Sequence, residues 1–376
     1  MRRIAFAAAA VLAAVWTLPS ASAQSNTFTV DCNRGQKIAT ALAQGDFRRP
    51  LVVNVRGTCA EFVSITRDRV TLRGDPAAEL VAPTQNTDLV IIEARDATLE
   101  NLTLTGGSYG VRNNQSFSLM ISNCVIQDTR SDGFRGFVGD ARLMNTTIRN
   151  AGGAGVYLSR GASAGISQNS QIIGNAGAGI LADRNSTVVV SGSTISGNGS
   201  NGVQLQNSSE GGVSSSVIEG NGADAAKPGA GIAISQSQAG TLNNNTIRYN
   251  REDGVIVTSG GSATIDDNTI AQNGLHGVNA YLGSLVVLHR NVISENAFSG
   301  VVGYAHSTVQ IGGATISNNR GGAGISMMYG SKLLLEAPTT TSQGNIGALW
   351  CGDGESSVND LGLLDAGGDT VFCTGY

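Results

Sequence analysis

Aliphatic, glycine and asparagine positions recur along this chain with a period of about 23 residues, most clearly between residues 231 and 325. A glycine followed by a β-branched residue returns at intervals of 23, 23, 23 and 24 residues, in Gly231-Ile232, Gly254-Val255, Gly277-Val278, Gly300-Val301 and Gly324-Ile325. An asparagine precedes four of these glycines, and an isoleucine lies three residues before each asparagine, in Ile247/Asn250, Ile270/Asn273, Ile293/Asn296 and Ile316/Asn319. A fixed period of this length predicts a solenoid in which each repeat forms one turn.

The glycine-aliphatic pair continues towards the N-terminus, in Gly110-Val111, Gly133-Phe134, Gly155-Val156, Gly179-Ile180 and Gly202-Val203. One interval is longer: 29 residues separate Gly202 from Gly231, and the surplus lies in the segment Gly222–Ala230. The pattern predicts roughly a dozen coils between Leu51 and Leu349.

Three short strands can be recognised within each coil. Strand A ends in an aliphatic residue, strand B carries the isoleucines, and strand C is the glycine-aliphatic segment. Strands this short must pair with their counterparts in the coils above and below. The sequence therefore predicts an all-β fold, a right-handed parallel β-helix. Leucine-rich, hexapeptide and helical repeats have other periods and fit less well.

Asparagines at equivalent positions predict side-chain amide ladders inside the β-helix, because each amide can donate to the next and accept from the previous one. Two ladders are expected, Asn245-Asn268-Asn291 and Asn198-Asn221-Asn250-Asn273-Asn296-Asn319. We assign these residues a structural role.

The two ends of the solenoid are expected to be closed. The segment Gly35–Gln44 places Ile38, Ala41 and Leu42 on one helical face and predicts a short capping helix. The expected organisation is an N-terminal cap at 24–50, the β-helix at 51–349 and a C-terminal cap or tail at 350–376. Two disulfides, Cys32–Cys59 and Cys351–Cys373, are predicted to fasten the ends, and Cys124 is predicted to be a buried free thiol.

Residues 1–23 have the features of a cleaved secretory signal. Arg2 and Arg3 precede the apolar run Ile4–Leu18, and Ala21-Ser22-Ala23 fits a cleavage site, which places the mature start near Gln24. The alternative is an uncleaved N-terminal anchor, but the apolar run is short for a membrane span. We therefore expect a secreted or periplasmic protein that has no membrane insertion after signal cleavage.

Composition and charge narrow the expected partners. Without Arg2 and Arg3, 22 basic residues stand against 28 acidic ones, a net charge of −6. This balance argues against nucleic acid as a partner. None of the cysteines has zinc-ligand spacing, and the sequence predicts neither a cofactor nor a metal site.

Outward positions of strand C bring two groups of polar residues together. The first contains Arg112, Arg130, Asp132, Arg135 and Tyr157. Guanidinium groups there suit the carboxylates of an acidic sugar, so we expect them to bind substrate. The alternative for either group is a solvated turn held by local salt bridges.

The second group lies beside the inserted segment and contains Arg251, Glu252, Asp253, His276, Asn279 and Tyr281. Asp253 and His276 hold equivalent positions one coil apart, so the sequence predicts an acid–base pair in which the carboxylate raises the basicity of the histidine. Arg251, Asn279, Tyr281 and Tyr304 are the expected substrate-binding residues around it. The tyrosines either stack on sugar faces or simply stabilise the stacked strands.

The repeat from about Val52 to Leu349 resembles the parallel β-helices of the pectin-lyase-like superfamily. The resemblance implies that strand C forms the first sheet, and that the variable loop between the asparagine and the glycine borders a substrate groove. Of the motifs of polygalacturonases only the fragments Asp132-Gly133, Asp253-Gly254 and His276-Gly277 occur.

Two functions remain open on the sequence alone. The first is an exported carbohydrate-binding or polysaccharide-processing protein, with an acidic polysaccharide as partner and, if it is catalytic, lyase, C5-epimerase or glycoside hydrolase activity. The second is a non-catalytic surface or periplasmic scaffold, which is favoured by Leu181, Ile256 and Val302, apolar residues that we expect to be exposed on the outward stripe of strand C. The sequence does not indicate an oligomeric state.

Overall fold

The computed structural model describes residues 25–352, 355–359 and 361–373. The predicted signal segment 1–23 lies outside the described residues. The described chain forms a parallel β-solenoid with two sheets, one of fourteen strands and one of 26. The all-β prediction is confirmed, and the fourteen-stranded sheet shows slightly more coils than the dozen expected.

The fourteen-stranded sheet contains the predicted C strands and is called sheet C. Its strands are β3 (Val63–Ile65), β5 (Val90–Ile92), β7 (Val111–Asn114), β10 (Phe134–Phe137), β13 (Val156–Ser159), β16 (Ile180–Ala182), β19 (Val203–Gln206), β22 (Ile232–Ser235), β25 (Val255–Thr258), β28 (Val278–Tyr281), β31 (Val301–Tyr304), β34 (Ile325–Met328), β37 (Leu349–Cys351) and β40 (Val371–Phe372).

The 26-stranded sheet contains the predicted A and B strands, which become continuous where long N-terminal strands span both; we call it sheet A/B. Its first strands are β1 (Asn26–Asp31), β2 (Leu51–Ala60), β4 (Val70–Val81), β6 (Thr98–Thr105), β8 (Leu119–Ser122), β9 (Val125–Gln127), β11 (Asp140–Met144), β12 (Thr147–Arg149), β14 (Ser163–Ser167), β15 (Gln171–Ile173), β17 (Thr187–Ser191), β18 (Thr194–Ser196) and β20 (Glu210–Ser214). The remaining strands are β21 (Val217–Glu219), β23 (Gln238–Asn243), β24 (Thr246–Arg248), β26 (Ser262–Asp266), β27 (Thr269–Ala271), β29 (Leu285–His289), β30 (Val292–Ser294), β32 (Thr308–Gly312), β33 (Thr315–Ser317), β35 (Lys332–Glu336), β36 (Thr340–Gln343), β38 (Ser357–Asn359) and β39 (Leu364–Asp365).

A single elongated core runs along the solenoid axis. The aliphatic residues that end strand A, the isoleucines of strand B and the aliphatics after each glycine are buried, as in Ile265, Ile270 and Val278. Each of them pairs in register with its equivalent one coil away, as Ile270 does with Ile247 and Ile293. Alternation of inward aliphatic and outward polar residues along such short strands is therefore sufficient to build the core.

The recurrent glycine marks a close approach between the backbone and the core. A Cβ atom on Gly277 would lie 2.4 Å from Cγ2 of Ile293 and 2.6 Å from the carbonyl oxygen of Gly300 in the next coil. A side chain there would collide with backbone that cannot move without breaking the stack. The glycine is therefore required by packing, which explains its nearly constant period.

Both predicted asparagine ladders are present. In the longer one Asn250 Nδ2 donates to Asn273 Oδ1 at 3.0 Å, and Asn273 Nδ2 donates to Asn296 Oδ1 at 3.0 Å. The ladder extends one rung further than predicted at each end, to Asn175 and Asn345. Each rung also accepts the backbone N–H of the preceding rung and donates to a carbonyl of strand B, so the buried amides are fully bonded.

The shorter ladder, Asn245-Asn268-Asn291, continues towards the N-terminus as a column of small hydroxyl residues. Asn245 Oδ1 accepts the backbone N–H of Ser216, and the Oγ of Ser216 accepts that of Ser193. Cys124 is buried, and its thiol donates to the carbonyl oxygens of Leu99 and Ser122. Burial raises the pKa of this thiol to about 11, so Cys124 is confirmed as a free thiol of the core.

The N-terminal end is closed by helix α1 (Ile38–Leu42), which buries Ile38 and Ala41 as predicted. Both oxygens of the Glu61 carboxylate accept backbone N–H groups of its first turn. Short 3₁₀ turns occur at Cys32–Arg34 and Leu361–Leu363. Strand β1, within the region expected to be cap, pairs with β2, and β38 to β40 continue the stack beyond residue 349.

Both predicted disulfides are present, Cys32–Cys59 at the first coils and Cys351–Cys373 at the last. No helix of the described residues has the length and apolar character that a membrane span needs.

Candidate functional site

The exterior of sheet C forms one continuous face because its strands pair in register from the first coil to the last. The outward column two residues past each glycine runs, in spatial order, through Ser64, Ile91, Arg112, Arg135, Tyr157, Leu181, Gln204, Ala233, Ile256, Asn279, Val302, Ser326, Trp350 and Phe372. The register of the predicted stripe is confirmed, although Val302 and Ser326 within it are buried; Arg112, Arg135, Tyr157 and Asn279 of the polar groups lie on it.

The first cluster, called the arginine cluster, is built around Arg112, Asp132, Arg135 and Tyr157. Arg135 Nη1 donates to the nearly buried carboxylate of Asp132 at 2.7 Å, and the other oxygen of Asp132 accepts the backbone N–H of Ala154. Asp132 is therefore held by the next coil and in turn fixes the guanidinium. The structure brings these predicted residues together.

Aromatic rings surround the guanidinium of Arg135. Its Cζ atom lies 3.6 Å from the ring centroid of Tyr157, 4.7 Å from that of Phe137 and 5.6 Å from that of Tyr109. Stacking of this kind suits the planar, weakly hydrated guanidinium. Only 17% of the Arg135 side chain is exposed, and its buried Nε has no hydrogen-bond partner. The cluster thus holds a desolvated cation with an unused donor.

A second guanidinium lies one coil away. Arg112 Nη1 donates to Asp88 at 3.1 Å, and its Cζ lies 5.3 Å from the ring of Phe137. The buried Nε of Arg112 also has no partner. Arg130, predicted for the same group, donates instead to the side chain of Asn86 on the adjoining loop. Arg112 and Arg135 are register partners, so two guanidinium groups lie side by side on the face, each paired with a carboxylate, Asp88 or Asp132.

Sequence reasoning missed several members of this network. Tyr157 donates its hydroxyl proton to Asp183 at 3.1 Å, and Asp183 also accepts from Asn207 at 2.6 Å. Burial, followed by the neighbouring Asp183, raises the pKa of the Tyr157 hydroxyl. Burial opposes ionisation of Asp183, but hydrogen bonds from Asn207 and Tyr157 outweigh it and lower the pKa of this carboxyl. Asp183 and Phe137 lie four residues past the recurrent glycine, on a second outward column of sheet C, and this position was the available signal.

The second cluster, called the aspartate cluster, consists of Asp253, His276 and Asn279. Asp253 is almost fully buried; one oxygen accepts the backbone N–H of His276 at 3.0 Å and the other accepts from Asn279 Nδ2 at 3.2 Å. Burial raises the pKa of the Asp253 carboxyl to about 6. The partner oxygen of Asn279, Oδ1, is buried without a hydrogen bond.

The predicted rise in the basicity of His276 is wrong. Its imidazole does not contact the carboxylate of Asp253: Nδ1 accepts the backbone N–H of Ser299 at 3.2 Å, and the ring packs at 5.7 Å from that of Phe298. Burial lowers the pKa of the imidazole to about 4. His276 is therefore neutral at pH 7 with its proton on Nε2. In this cluster Asp253, with a pKa near 6, is the group that can exchange a proton.

The inserted segment Gly222–Ala230 is tied down on both sides. Lys227 Nζ reaches back two coils to the carbonyl oxygen of Ala176 at 2.7 Å. Arg251 donates to the carbonyl of Lys227 and pairs with Glu252 at 3.0 Å, and Glu252 accepts the backbone N–H of Gly229. Arg251, predicted to bind substrate, thus anchors this loop beside the aspartate cluster.

A tyrosine column continues the second outward column. The ring centroids of Tyr281 and Tyr304 lie 5.1 Å apart, and those of Tyr304 and Tyr329 lie 4.6 Å apart. Tyr329, on the following turn, was missed from sequence because it lies one position off the column. The column stabilises neighbouring coils and also presents ring faces to solvent.

The apolar stripe expected for a scaffold is incomplete. Val302 is only 3% exposed, between Asn279 and Ser326 in the register, and Leu181 and Ile256 are half-buried. The expectation that Val302 is exposed is wrong, so these three residues do not form a continuous exposed apolar stripe.

One group in the described part of the chain, Cys32, Cys59 and Glu61, has the ligand spacing that a metal ion needs. Its two sulfur atoms are joined in the N-terminal disulfide, and Glu61 caps helix α1. This group is therefore explained without a metal.

A family model described as the right-handed beta helix region matches residues 88–227 and 224–345, most of the solenoid. The chain belongs to the right-handed β-helix family. No curated protein matches its sequence.

Solved structures of this fold superpose on most of the chain. They include the A-module of the mannuronan C-5 epimerase AlgE6 from Azotobacter vinelandii (TM-score 0.54, 16% identity, 84% of this chain and 93% of that one). They also include the catalytic unit of a GH87 alpha-1,3-glucanase from Streptomyces thermodiastaticus (0.53, 15%, 87% and 68%) and pectate lyase Pel9A (0.50, 14%, 72% and 76%). At these identities the similarity establishes the fold.

Proposed function

We propose that this protein is an exported polysaccharide-binding β-helix whose sheet C exterior holds a uronate-containing polymer. The observation that carries the proposal is the pair of guanidinium groups on the sheet C face: Arg135, fixed by Asp132 and surrounded by aromatic rings, with Arg112 beside it. A sugar carboxylate would accept hydrogen bonds from these guanidinium groups, and Tyr157 would pack against the ring of the sugar. The proteins whose solved structures are named above are enzymes that act on polysaccharides, and this agrees with the proposal.

Export is part of this proposal. It is supported by the signal-like segment 1–23 and by two disulfides, which persist in oxidising compartments.

Binding is tested by titrating the purified protein with oligogalacturonate, oligoguluronate and hyaluronan fragments in a calorimeter. Arg135→Gln should weaken binding of an acidic oligomer about tenfold or more, because a charge-assisted hydrogen bond is worth roughly 1.5–3 kcal/mol. Arg135→Lys should lose nearly as much, since it keeps the charge but not the fork. Arg142→Gln, an exposed site on sheet A/B, is the control for net charge. Equal weakening by Arg135→Gln and Arg142→Gln would contradict the proposal.

We further propose that a reaction takes place at the aspartate cluster on the same face. Five coils, about 24 Å, separate it from the arginine cluster, so the arginines would bind one part of the polymer and Asp253 would act on another. Because its pKa is raised to about 6, Asp253 suits the proton transfers of β-elimination or C5-epimerisation. Neutral His276 would donate a hydrogen bond from Nε2. Arg251, Tyr281 and Tyr304 would line the polymer path.

Catalysis is tested separately by following unsaturated uronate absorbance and the uronate epimer ratio over a range of pH. Activity should change with an apparent pKa near 6 and fall at least a hundredfold in Asp253→Asn. Absence of product from pectin, alginate and glycosaminoglycans would exclude this reaction while leaving the binding proposal intact.

A further inference from the structure

A cavity of about 330 Å³ lies on the sheet C exterior at its C-terminal end, beginning one coil beyond His276 of the aspartate cluster. Its walls and floor are formed by Ser299, Ser326, Met328, Ile346, Trp350 and Phe372. Gly321, Gly322, Ala323 and Gly347 also line it. The cavity belongs to neither polar cluster.

Two aromatic side chains form one wall. Trp350 and Phe372 are paired on adjacent strands, β37 and β40, and are 40% and 62% exposed. The indole of Trp350 rests against the Cα of Gly352, where an added Cβ would lie 2.5 Å from the ring. Ile346, 69% exposed, faces the same opening. Exposed apolar side chains gathered around a concavity typically mark a binding site.

The floor supplies polar anchors. The hydroxyl groups of Ser299 and Ser326 lie 2.9 Å apart and are buried. The backbone N–H of Ser299 donates to His276, so the cavity floor is continuous with the aspartate cluster. A ligand in the cavity would therefore meet two hydroxyl groups below and two aromatic faces beside it.

None of the residues that line the cavity is charged. A sugar carboxylate placed there would lose its hydration without gaining a cation, which is costly. An uncharged sugar ring has hydroxyl groups on its edge for the serines and C–H groups on its faces for the aromatic rings. The lining is complementary to a neutral sugar and opposite in character to the arginine cluster.

We propose that this cavity is a subsite for an uncharged sugar unit, so that the two ends of the sheet C face bind chemically different units of a mixed polysaccharide. The inference rests on the proposed function for its choice of a polysaccharide ligand. A second copy of the chain is the competing occupant, because the exposed apolar residues could pack against each other in a dimer.

The chain contains two tryptophans, Trp16 and Trp350. In the full chain with Trp16→Phe, tryptophan fluorescence reports on this cavity alone, whether or not the leader is removed. The probes are uncharged oligosaccharides of galactan, mannan, xylan and glucan, with oligogalacturonate and oligoguluronate as acidic counterparts. We expect a saturable change of emission with at least one neutral oligosaccharide and none with the acidic oligomers.

Variants separate this inference from the proposed function. Phe372→Ala should weaken the neutral ligand about tenfold without moving the melting temperature, because its ring is largely exposed. Arg135→Gln should leave the fluorescence titration unchanged and weaken only acidic oligomers. A neutral oligosaccharide that changes the emission, while no acidic oligomer binds in the calorimeter, would refute the proposed function and leave the cavity inference standing.

Three results would overturn the inference. The first is unchanged emission with every neutral oligosaccharide at millimolar concentration. The second is an equal response to acidic oligomers, which would show that the cavity does not discriminate charge. The third is emission that depends on protein concentration, together with a dimer in sedimentation that Phe372→Ala abolishes, which would assign the cavity to a second copy.

Discussion

Asp253 and His276 are both buried on the sheet C face, and burial moves their pKa values in opposite directions. Burial favours the neutral form of each group in the folded state: the pKa of Asp253 is raised to about 6 from its ordinary value of 3.8, and the pKa of His276 is lowered to about 4 from 6.5. The folded protein therefore retains the proton of Asp253 longer, and loses that of His276 earlier, than the unfolded chain as the pH rises.

These opposite shifts predict compensation in stability. Between about pH 4 and 6 the folded state binds more protons than the unfolded state at Asp253, so this residue makes the free energy of unfolding fall as the pH rises. At His276 the unfolded state binds more protons between about pH 4 and 6.5, so the free energy of unfolding rises. Urea denaturation of the unmodified protein should show little net slope from these two residues.

Single substitutions should expose each slope. In Asp253→Asn the free energy of unfolding should rise between pH 4 and 6.5 more steeply than in the unmodified protein, and in His276→Gln it should fall between pH 4 and 6. Over its pH range, each residue changes the free energy of unfolding by about 3 kcal/mol, which corresponds to a pKa difference of about two units between the folded and unfolded states. Parallel pH profiles for all three proteins would show that these residues do not titrate differently on folding.

At this scale the sequence predicts which residues become neighbours but not how they bond. The 23-residue period places Asp253 and His276 at equivalent positions. It does not reveal that Asp253 accepts the backbone N–H of His276 rather than the proton of its ring, because a backbone donor leaves no trace in residue identity. Asp88, the partner of Arg112, was missed for another reason: it precedes the region in which the repeat is clear.

At the scale of elements, the asparagine ladder stabilises the turn between strands B and C. Asn273 accepts from the backbone N–H and the side-chain amide of Asn250 and donates to Asn296 and to the carbonyl of Ile247. Four buried polar groups therefore depend on one side chain, and buried groups left without partners are costly.

Asn273→Ala should lower the free energy of unfolding by about 3 kcal/mol or more, because it leaves the buried N–H of Asn250 unpartnered and removes a side chain from a packed column. Asn273→Asp should be at least as harmful, since a carboxylate oxygen would replace the donor that faces Ile247. Thr269→Ala, an exposed position on β27, is the control. Equal loss in Asn273→Ala and Thr269→Ala, measured by chemical denaturation, would refute a special role for the ladder.

The inserted segment marks the limit of prediction for elements. The long interval between Gly202 and Gly231 reveals an insertion and its position before strand β22 of sheet C. Its path does not follow from the sequence, because Lys227 is held by a carbonyl oxygen of Ala176, and any carbonyl within reach would serve equally well. A residue of a repeat packs against its equivalent in the next coil, which the period identifies, whereas a segment that occurs once has no equivalent to identify its contacts.

At the scale of the whole molecule, each coil contacts its neighbours and little else, so stability is distributed along one dimension. Opening of the end coils then does not require the centre to unfold. The disulfides act on these ends: Cys32–Cys59 spans 27 residues and Cys351–Cys373 spans 22. Loops of this length correspond to about 3–4 kcal/mol of chain entropy.

Replacing Cys351 and Cys373 with serine should therefore open the C-terminal end locally. Hydrogen exchange should accelerate in β37 and β40 and remain slow in β24 and β27. Cys124→Ser, which removes a buried thiol without opening a loop, should leave exchange at the C-terminal end unchanged. Uniform acceleration along the solenoid in the double variant would show that the coils unfold as a single unit.

The coil architecture is predictable from sequence because the same pattern occurs in many coils, so a coil with an irregular sequence can be assigned from its neighbours. The ends are less predictable. Trp350 and Phe372 extend the outward column, but the glycine-asparagine pattern has faded around them, and their shared cavity becomes visible only when β37 and β40 are paired.

Because the coils stack in register, the length of the solenoid increases in steps of one strand spacing, about 4.8 Å per coil. Leu181 and Gln204 lie on paired strands, so a tandem copy of residues 182–204 would add one coil. It would separate Lys227 from Ala176 but leave Asp183 beside Tyr157 and keep the residues of the arginine cluster and of the C-terminal cavity. Such a lengthened protein should still bind short acidic or neutral fragments, yet lose the added affinity of a long chain that spans both. Gain or loss of whole coils could thus change the distance between the arginine cluster and the C-terminal cavity, and match it to the repeat length of a polymer, without altering the residues of either site.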